Sequence, residues 1–116
     1  MNYQLLQAMN NYCHEKYFKL IIILSTHKGN IRERFLQSEE LLQLINSSMP
    51  KHLQSDWELI FRNLQSKPAF ISDSGKINYS SLENTIRSKK HLSLSMVASD
   101  LVSFYFDNLL NSNRND

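Results

Sequence analysis

Residues 48–64 read Ser-Met-Pro-Lys-His-Leu-Gln-Ser-Asp-Trp-Glu-Leu-Ile-Phe-Arg-Asn-Leu, and this stretch decides the fold class. Met49, Leu53, Trp57, Ile60 and Leu64 recur at spacings of three and four, which sets them in one stripe along a helix of 3.6 residues per turn. Ser47 and Ser48 offer caps, and Pro50 suits a first helical turn, where a missing N–H leaves no intrahelical bond unmade. A helix is therefore expected to begin here, and it carries the cleanest apolar stripe of the chain.

Towards the N-terminus the same period continues. Ile31, Phe35, Leu42 and Ile45 share one face of a helix expected to run unbroken from about Ile31 to Asn46, with Arg32, Glu33, Arg34, Glu39 and Glu40 largely on the other. Before it, Leu6, Met9, Cys13, Tyr17, Leu20 and Leu24 mark an amphipathic helix over about Tyr3 to His27. Its β-branched Ile21, Ile22 and Ile23 would suit a buried strand, but the helical period leads into them and no second strand is at hand to pair with. Gly29 supplies a stop and Asn30 a fresh N-cap.

Towards the C-terminus the period lapses between Ser66 and Tyr79. Lys67-Pro68 and Ser72-Asp73-Ser74-Gly75 read as a connecting loop, which Phe70, Ile71 and Ile77 are expected to pin to the core. Ser80-Ser81-Leu82-Glu83 matches a capping box and predicts a short helix to about Lys89. Ser93 or Ser95 can cap a last helix carrying Leu94, Val97, Leu101, Tyr105 and Leu109. Phe104, Tyr105 and Phe106 are consecutive and span about 200° of its circumference, so at least one is expected to be exposed. The fold expected is all-α: a compact, irregular bundle of four to five helices, one domain over residues 1–110 with a frayed tail over 111–116.

Composition agrees. Of 116 residues 41% are hydrophobic and 21% charged, far from the signature of disorder. Two glycines and two prolines are too few turn residues for a sandwich or barrel of many short strands. One cysteine excludes an internal disulfide and a multi-cysteine zinc site, and with no signal peptide legible at the start the expected location is a reducing cytoplasm. Leu20 to Leu24, the longest apolar run, is about a quarter of a membrane span. The net charge of +2 arises from six residues of each sign in 1–58 and seven basic against five acidic in 59–116, without a dense basic block.

No catalytic set is legible, and neither a cofactor nor a metal is expected. His14, His27, His52 and His91 are scattered, with no second histidine one turn away. His52 and Asp56 are one helical turn apart and could orient one another as a general base requires, or be a solvated surface pair without nucleophile or second acid. Cys13 lies on an apolar stripe, where a thiol behaves as a small hydrophobe rather than a nucleophile. Gly29 and Gly75 stand alone, so no phosphate-cradling loop can be built. An enzyme is not expected.

Two charged groupings remain. Glu33, Glu39, Glu40, Asp56 and Glu58 concentrate in residues 33–58 and could form an acidic face for a partner protein. Arg87, Lys89, Lys90 and His91 are the one positive cluster, read either as dipole complementarity at a helix end or as a contact for an anionic partner. No aromatic residue interleaves it, and the overall charge pattern argues against nucleic acid. A homodimer through the first helix is a further expectation.

The run Met49-Pro50, Leu53, Asp56-Trp57, Ile60, then Gly75-Lys76-Ile77, then Leu82, Thr85-Ile86-Arg87, Ala98, Leu101 and Phe104-Tyr105 resembles small helical accessory proteins of bacteria that have no assigned chemistry, over about 60% of the chain. In type, a small one-domain protein without a catalytic set is similar to the immunity proteins of bacterial toxin systems, including contact-dependent growth inhibition. That resemblance implies a protein that binds a toxin domain and neutralises it. Many such toxins are nucleases with basic clefts, which implies an acidic inhibitor face. The competing expectation is a helical nucleic-acid-associated regulator that uses Arg87 to His91.

Overall fold

A computed structural model describes the backbone of residues 3–26 and 28–110 and the side chains of 11–26 and 28–110. The protein is all-α apart from one small hairpin. Six α-helices occur among the described residues: α1 (Tyr3–Thr26), α2 (Ile31–Gln37), α3 (Glu39–Ser48), α4 (Gln54–Phe61), α5 (Ser81–Ser88) and α6 (His91–Phe104). Single 3₁₀ turns at Lys51–Leu53 and Arg62–Leu64 extend α4 at both ends, and a π-helical segment, Tyr105–Leu110, prolongs α6. The side chains of the stripe residues Leu6 and Met9, the residue His27 and the tail expected at 111–116 lie outside what is described.

α1 is the spine. One side packs along α3, and the π-helical end of α6 lies against another part of it. Cys13, Tyr17, Leu20 and Leu24 are buried as the helical period requires. Tyr17 sits at the centre of an aromatic cluster, its ring 5.8 Å from Trp57, 6.0 Å from Phe104 and 5.4 Å from Tyr105, centroid to centroid. Trp57 stacks in turn on Phe61 at 5.3 Å. Such ring pairs stabilise by about 0.5–1.5 kcal/mol each beyond the area they bury. Their polar ends are satisfied: the Tyr17 hydroxyl donates to the Leu101 carbonyl at 2.7 Å, and the Trp57 indole N–H to Asn46 Oδ1 at 2.9 Å.

Those two bonds explain where the chain turns. Asn46, at the end of α3, is held to α4 across the Met49-Pro50 corner. The Leu101 carbonyl accepts from the Tyr17 hydroxyl as well as from the Tyr105 N–H, which is shared with the Val102 carbonyl at the point where α6 widens into its π-helical segment. Buried polar groups are costly unless bonded, so these contacts fix the register of α4 on α3 and of α6 on α1.

Several expectations from the sequence need correction. The helix expected over 31–46 is broken at Ser38, which is fully buried; its hydroxyl donates back to the Arg34 carbonyl at 2.8 Å and its N–H bonds Phe35 rather than Arg34. A serine that back-bonds to the preceding turn competes with the helical ladder, and here the helix re-aims. Ser47 and Ser48 do not start the next helix but end α3, donating to the Leu44 carbonyl, and Pro50 precedes the 3₁₀ turn. The last helix begins at His91, so Ser93 and Ser95 lie inside it rather than capping it.

The stretch 66–79 is the largest departure. It forms an antiparallel hairpin, β1 (Phe70–Ile71) and β2 (Ile77–Tyr79), with Phe70 opposite Tyr79 and Ile71 opposite Ile77. Gly75 adopts a φ of 83° in the turn, where its N–H donates to the Ser72 carbonyl at 2.9 Å, a backbone state that a side chain would strain. Phe70, Ile71 and Ile77 do not pin the loop to the core: they are 49%, 59% and 64% exposed. The segment is held instead by polar bonds to α5, with Thr85 Oγ1 accepting from the Lys67 N–H at 2.9 Å and Asn84 donating to the Pro68 carbonyl at 2.8 Å.

Ser80 caps α5 as the box predicts, accepting from the Glu83 N–H at 3.0 Å. Phe106 is the exposed member of the aromatic triplet, while Phe104 and Tyr105 are buried. No helix among the described residues is long and apolar enough to cross a membrane.

Candidate protein-binding surface

The five acidic residues singled out in the sequence do not meet on one face. Glu33 lies in the first turn of α2, with its side chain beside Gly29. Glu39 is engaged inside the molecule: Ser80 donates its hydroxyl to Glu39 Oε1 at 2.7 Å while its oxygen receives the Glu83 N–H. This relay ties the start of α3 to the start of α5. Glu40 is exposed beside it. Asp56 and Glu58, both exposed on α4, line different depressions, Glu58 with Asn46, Phe61, Arg62 and Gln65, and Asp56 with residues of α6.

The carboxylates that the fold does gather are Asp56, Asp100 and Asp107. They border a depression of about 250 Å³ whose other walls are Ile60, Ser103, Phe104 and Asn108. Asp100 also borders a second depression, of about 200 Å³, lined by Asn63, Lys89, Ser93, Met96 and Val97. The first depression is a shallow trough between α4 and the α6 end of the chain. Asp100, on α6, and Asp107, in the π-helical segment that prolongs it, are seven residues apart and both border the first depression. That spacing is visible in the sequence, but the approach of Asp56 from α4 is not.

Among the described residues none of these three carboxylates has an ion pair or a hydrogen-bonded partner; the ion pairs found there are Glu15–Lys19 at 3.4 Å and Glu83–Arg87 at 2.8 Å. Three like charges around one trough give it a negative potential that attracts cationic groups. Apolar surface accompanies them: Leu59 and Met96, on the two helices that flank the trough, are 58% and 62% exposed.

The positive cluster is partly occupied within the fold. Arg87 pairs with Glu83 and lies over the Tyr79 ring at 4.8 Å, and the Glu83 hydrogen bond pushes its guanidinium further up from the usual arginine range. Arg32, read from the sequence as surface, reaches the same corner: it donates to the carbonyls of Ile86 and Lys89 and contacts the His91 ring Nε2 at 2.9 Å. It thereby closes the C-terminal end of α5, whose last carbonyls have no helical partner. Lys90 and His91 remain exposed and Lys89 half-buried.

His52 and Asp56 are both exposed and no bond joins them. Cys13 is fully buried; burial pushes its thiol up, partly offset by a hydrogen bond with Ser48, so the thiolate needed of a nucleophile is disfavoured. His14 Nε2 lies 2.8 Å from the Tyr105 hydroxyl. No group of three or more His, Cys, Asp or Glu side chains among the described residues could hold a metal ion.

Compared with protein-family models, curated proteins and solved structures, the chain matches none. Its function has to be argued from its own surface.

Proposed function

We propose that this chain is a non-catalytic protein-binding module of the immunity type, acting in a bacterial cytoplasm, where it binds a toxin domain and blocks its cationic working surface. The observation that supports this reading is the trough between α4 and α6, where Asp56, Asp100 and Asp107 stand without internal cations, on elements of which α4 and α6 also carry the exposed Leu59 and Met96. Unneutralised carboxylates with apolar area on the same elements suit a protein surface that brings its own lysines and arginines, as a nuclease cleft does. Glu58, exposed on α4, lines a different depression and is not part of this trough. Glu39 is committed to Ser80.

The test is to express the proteins encoded by the adjacent genes with and without this chain, looking for one that arrests growth. Restored growth, with a stoichiometric complex that survives high salt, is the expected result. Recovery of nucleic acid alone, released steeply as salt rises, would overturn the reading in favour of a regulator using Lys89, Lys90 and His91.

A further inference from the structure

We infer that the contact between Arg32 and His91 is a proton-operated latch: it ties α2 to the corner between α5 and α6 while His91 is neutral, and opens when His91 takes up a proton. The inference is independent of the protein-binding reading above. Arg32 Nη1 stands 2.9 Å from His91 Nε2. A guanidinium has only N–H donors, so Nε2 is the acceptor and the ring holds its single proton on Nδ1. A second proton goes to Nε2 and sets donor against donor and cation against cation. His91 is exposed, so solvent protons reach the ring.

The latch bears on packing because of what else Arg32 holds. Its Nε donates to the Ile86 carbonyl at 3.3 Å and its Nη2 to the Lys89 carbonyl, which closes the C-terminal end of α5 from α2. No carboxylate among the described residues pairs with Arg32 or His91 to absorb the added charge. On α2, Glu33 lies beside Gly29, and Arg34 donates to the carbonyls of Gly29 and Leu24. On α5, Glu83 is paired with Arg87. Lys89 and Lys90, between the two helices, add only positive charge. Asp100 of α6 is nine residues from His91, about 13 Å along the axis. From α4, Asp56 borders the depression of Asp100, while Glu58 and Arg62 line another. Acid thereby loosens α2 from this corner and raises the corner's positive charge.

The test is nuclear magnetic resonance of the isotopically labelled full chain from about pH 8 to about pH 5, the range in which a histidine changes charge. The His91 ring nitrogens report tautomer and charge. The Arg32 Nε–H and the backbone amides of residues 86–91 report the latch. At the high end the ring is expected as the Nδ1–H tautomer. As it takes up its proton, the Arg32 Nε–H and those amides should shift with the same midpoint as the ring. His91→Gln offers a neutral amide oxygen as acceptor at every pH, so the Arg32 resonance should then stay in place and the amide shifts should vanish. An Nε2–H ring at the high end, an Arg32 resonance indifferent to the ring's titration, or the same shifts in His91→Gln would overturn the latch.

Discussion

The aromatic core and the β1–β2 hairpin are built from similar residues and meet opposite fates. Tyr17, Trp57, Phe104 and Tyr105 are buried and in ring contact, whereas Phe70, Ile71 and Ile77 are about half exposed or more. The difference lies in what faces them. The core rings sit on helices whose stripes oppose one another across α1, so each finds a second layer. The hairpin has two short strands and is tied to α5 through polar bonds from Lys67 and Pro68. Apolar character decides what can be buried; the presence of an opposing layer decides what is.

Breaking the core side of this comparison should have the largest effect. Trp57→Ala removes a fully buried ring and leaves the Asn46 side chain without its indole donor, and should cost about 3–5 kcal/mol in denaturant unfolding. A loss below about 1 kcal/mol would mean that the aromatic cluster is not what anchors α4. Next comes the polar relay that attaches the outer flank. Ser80→Ala deletes both the α5 cap and the bond to Glu39, an expected cost of about 1–2 kcal/mol by thermal melting. Glu39→Gln retains an acceptor for the Ser80 hydroxyl and should cost less, which distinguishes the relay from the helix cap.

Tyr17→Phe keeps the ring contacts and removes only the hydroxyl bond to Leu101, whose carbonyl still accepts from Tyr105, so about 1 kcal/mol is expected. The same region sets an alkaline limit. Burial raises the Cys13 thiol above its ordinary value of 9.0 and also raises the Tyr17 hydroxyl, so in this range the folded chain holds protons that the unfolded chain releases. Stability from these groups is fully present below about pH 9 and is lost as pH rises further, with the Cys13 part absent from Cys13→Ala. Unfolding curves between neutral and alkaline pH measure this, and a flat profile would contradict the burial of both groups.

The smallest effect is expected at the hairpin. Ile71→Ser with Ile77→Ser should change stability by less than about 0.5 kcal/mol, as befits exposed positions. A loss above about 1 kcal/mol would show that the hairpin docks on the body of the molecule and would erase the contrast.

What the sequence by itself determined is the helical class, most of the core and the local signals. The stripes of α1, α4 and α6 were legible because burial on a helix has a period that composition cannot mimic, and Cys13, Trp57, Leu94 and Leu101 are buried where that period puts them. The Asn30 and Ser80 caps were legible because a cap acts within three residues. Tertiary structure alone decided the exposure of the hairpin, the diversion of Glu39 and Arg32 into internal bonds, and the meeting of Asp56 with Asp100 and Asp107. Each of these depends on a neighbour tens of residues away or on whether a second layer exists, and neither quantity has a period or a spacing that can be read along the chain.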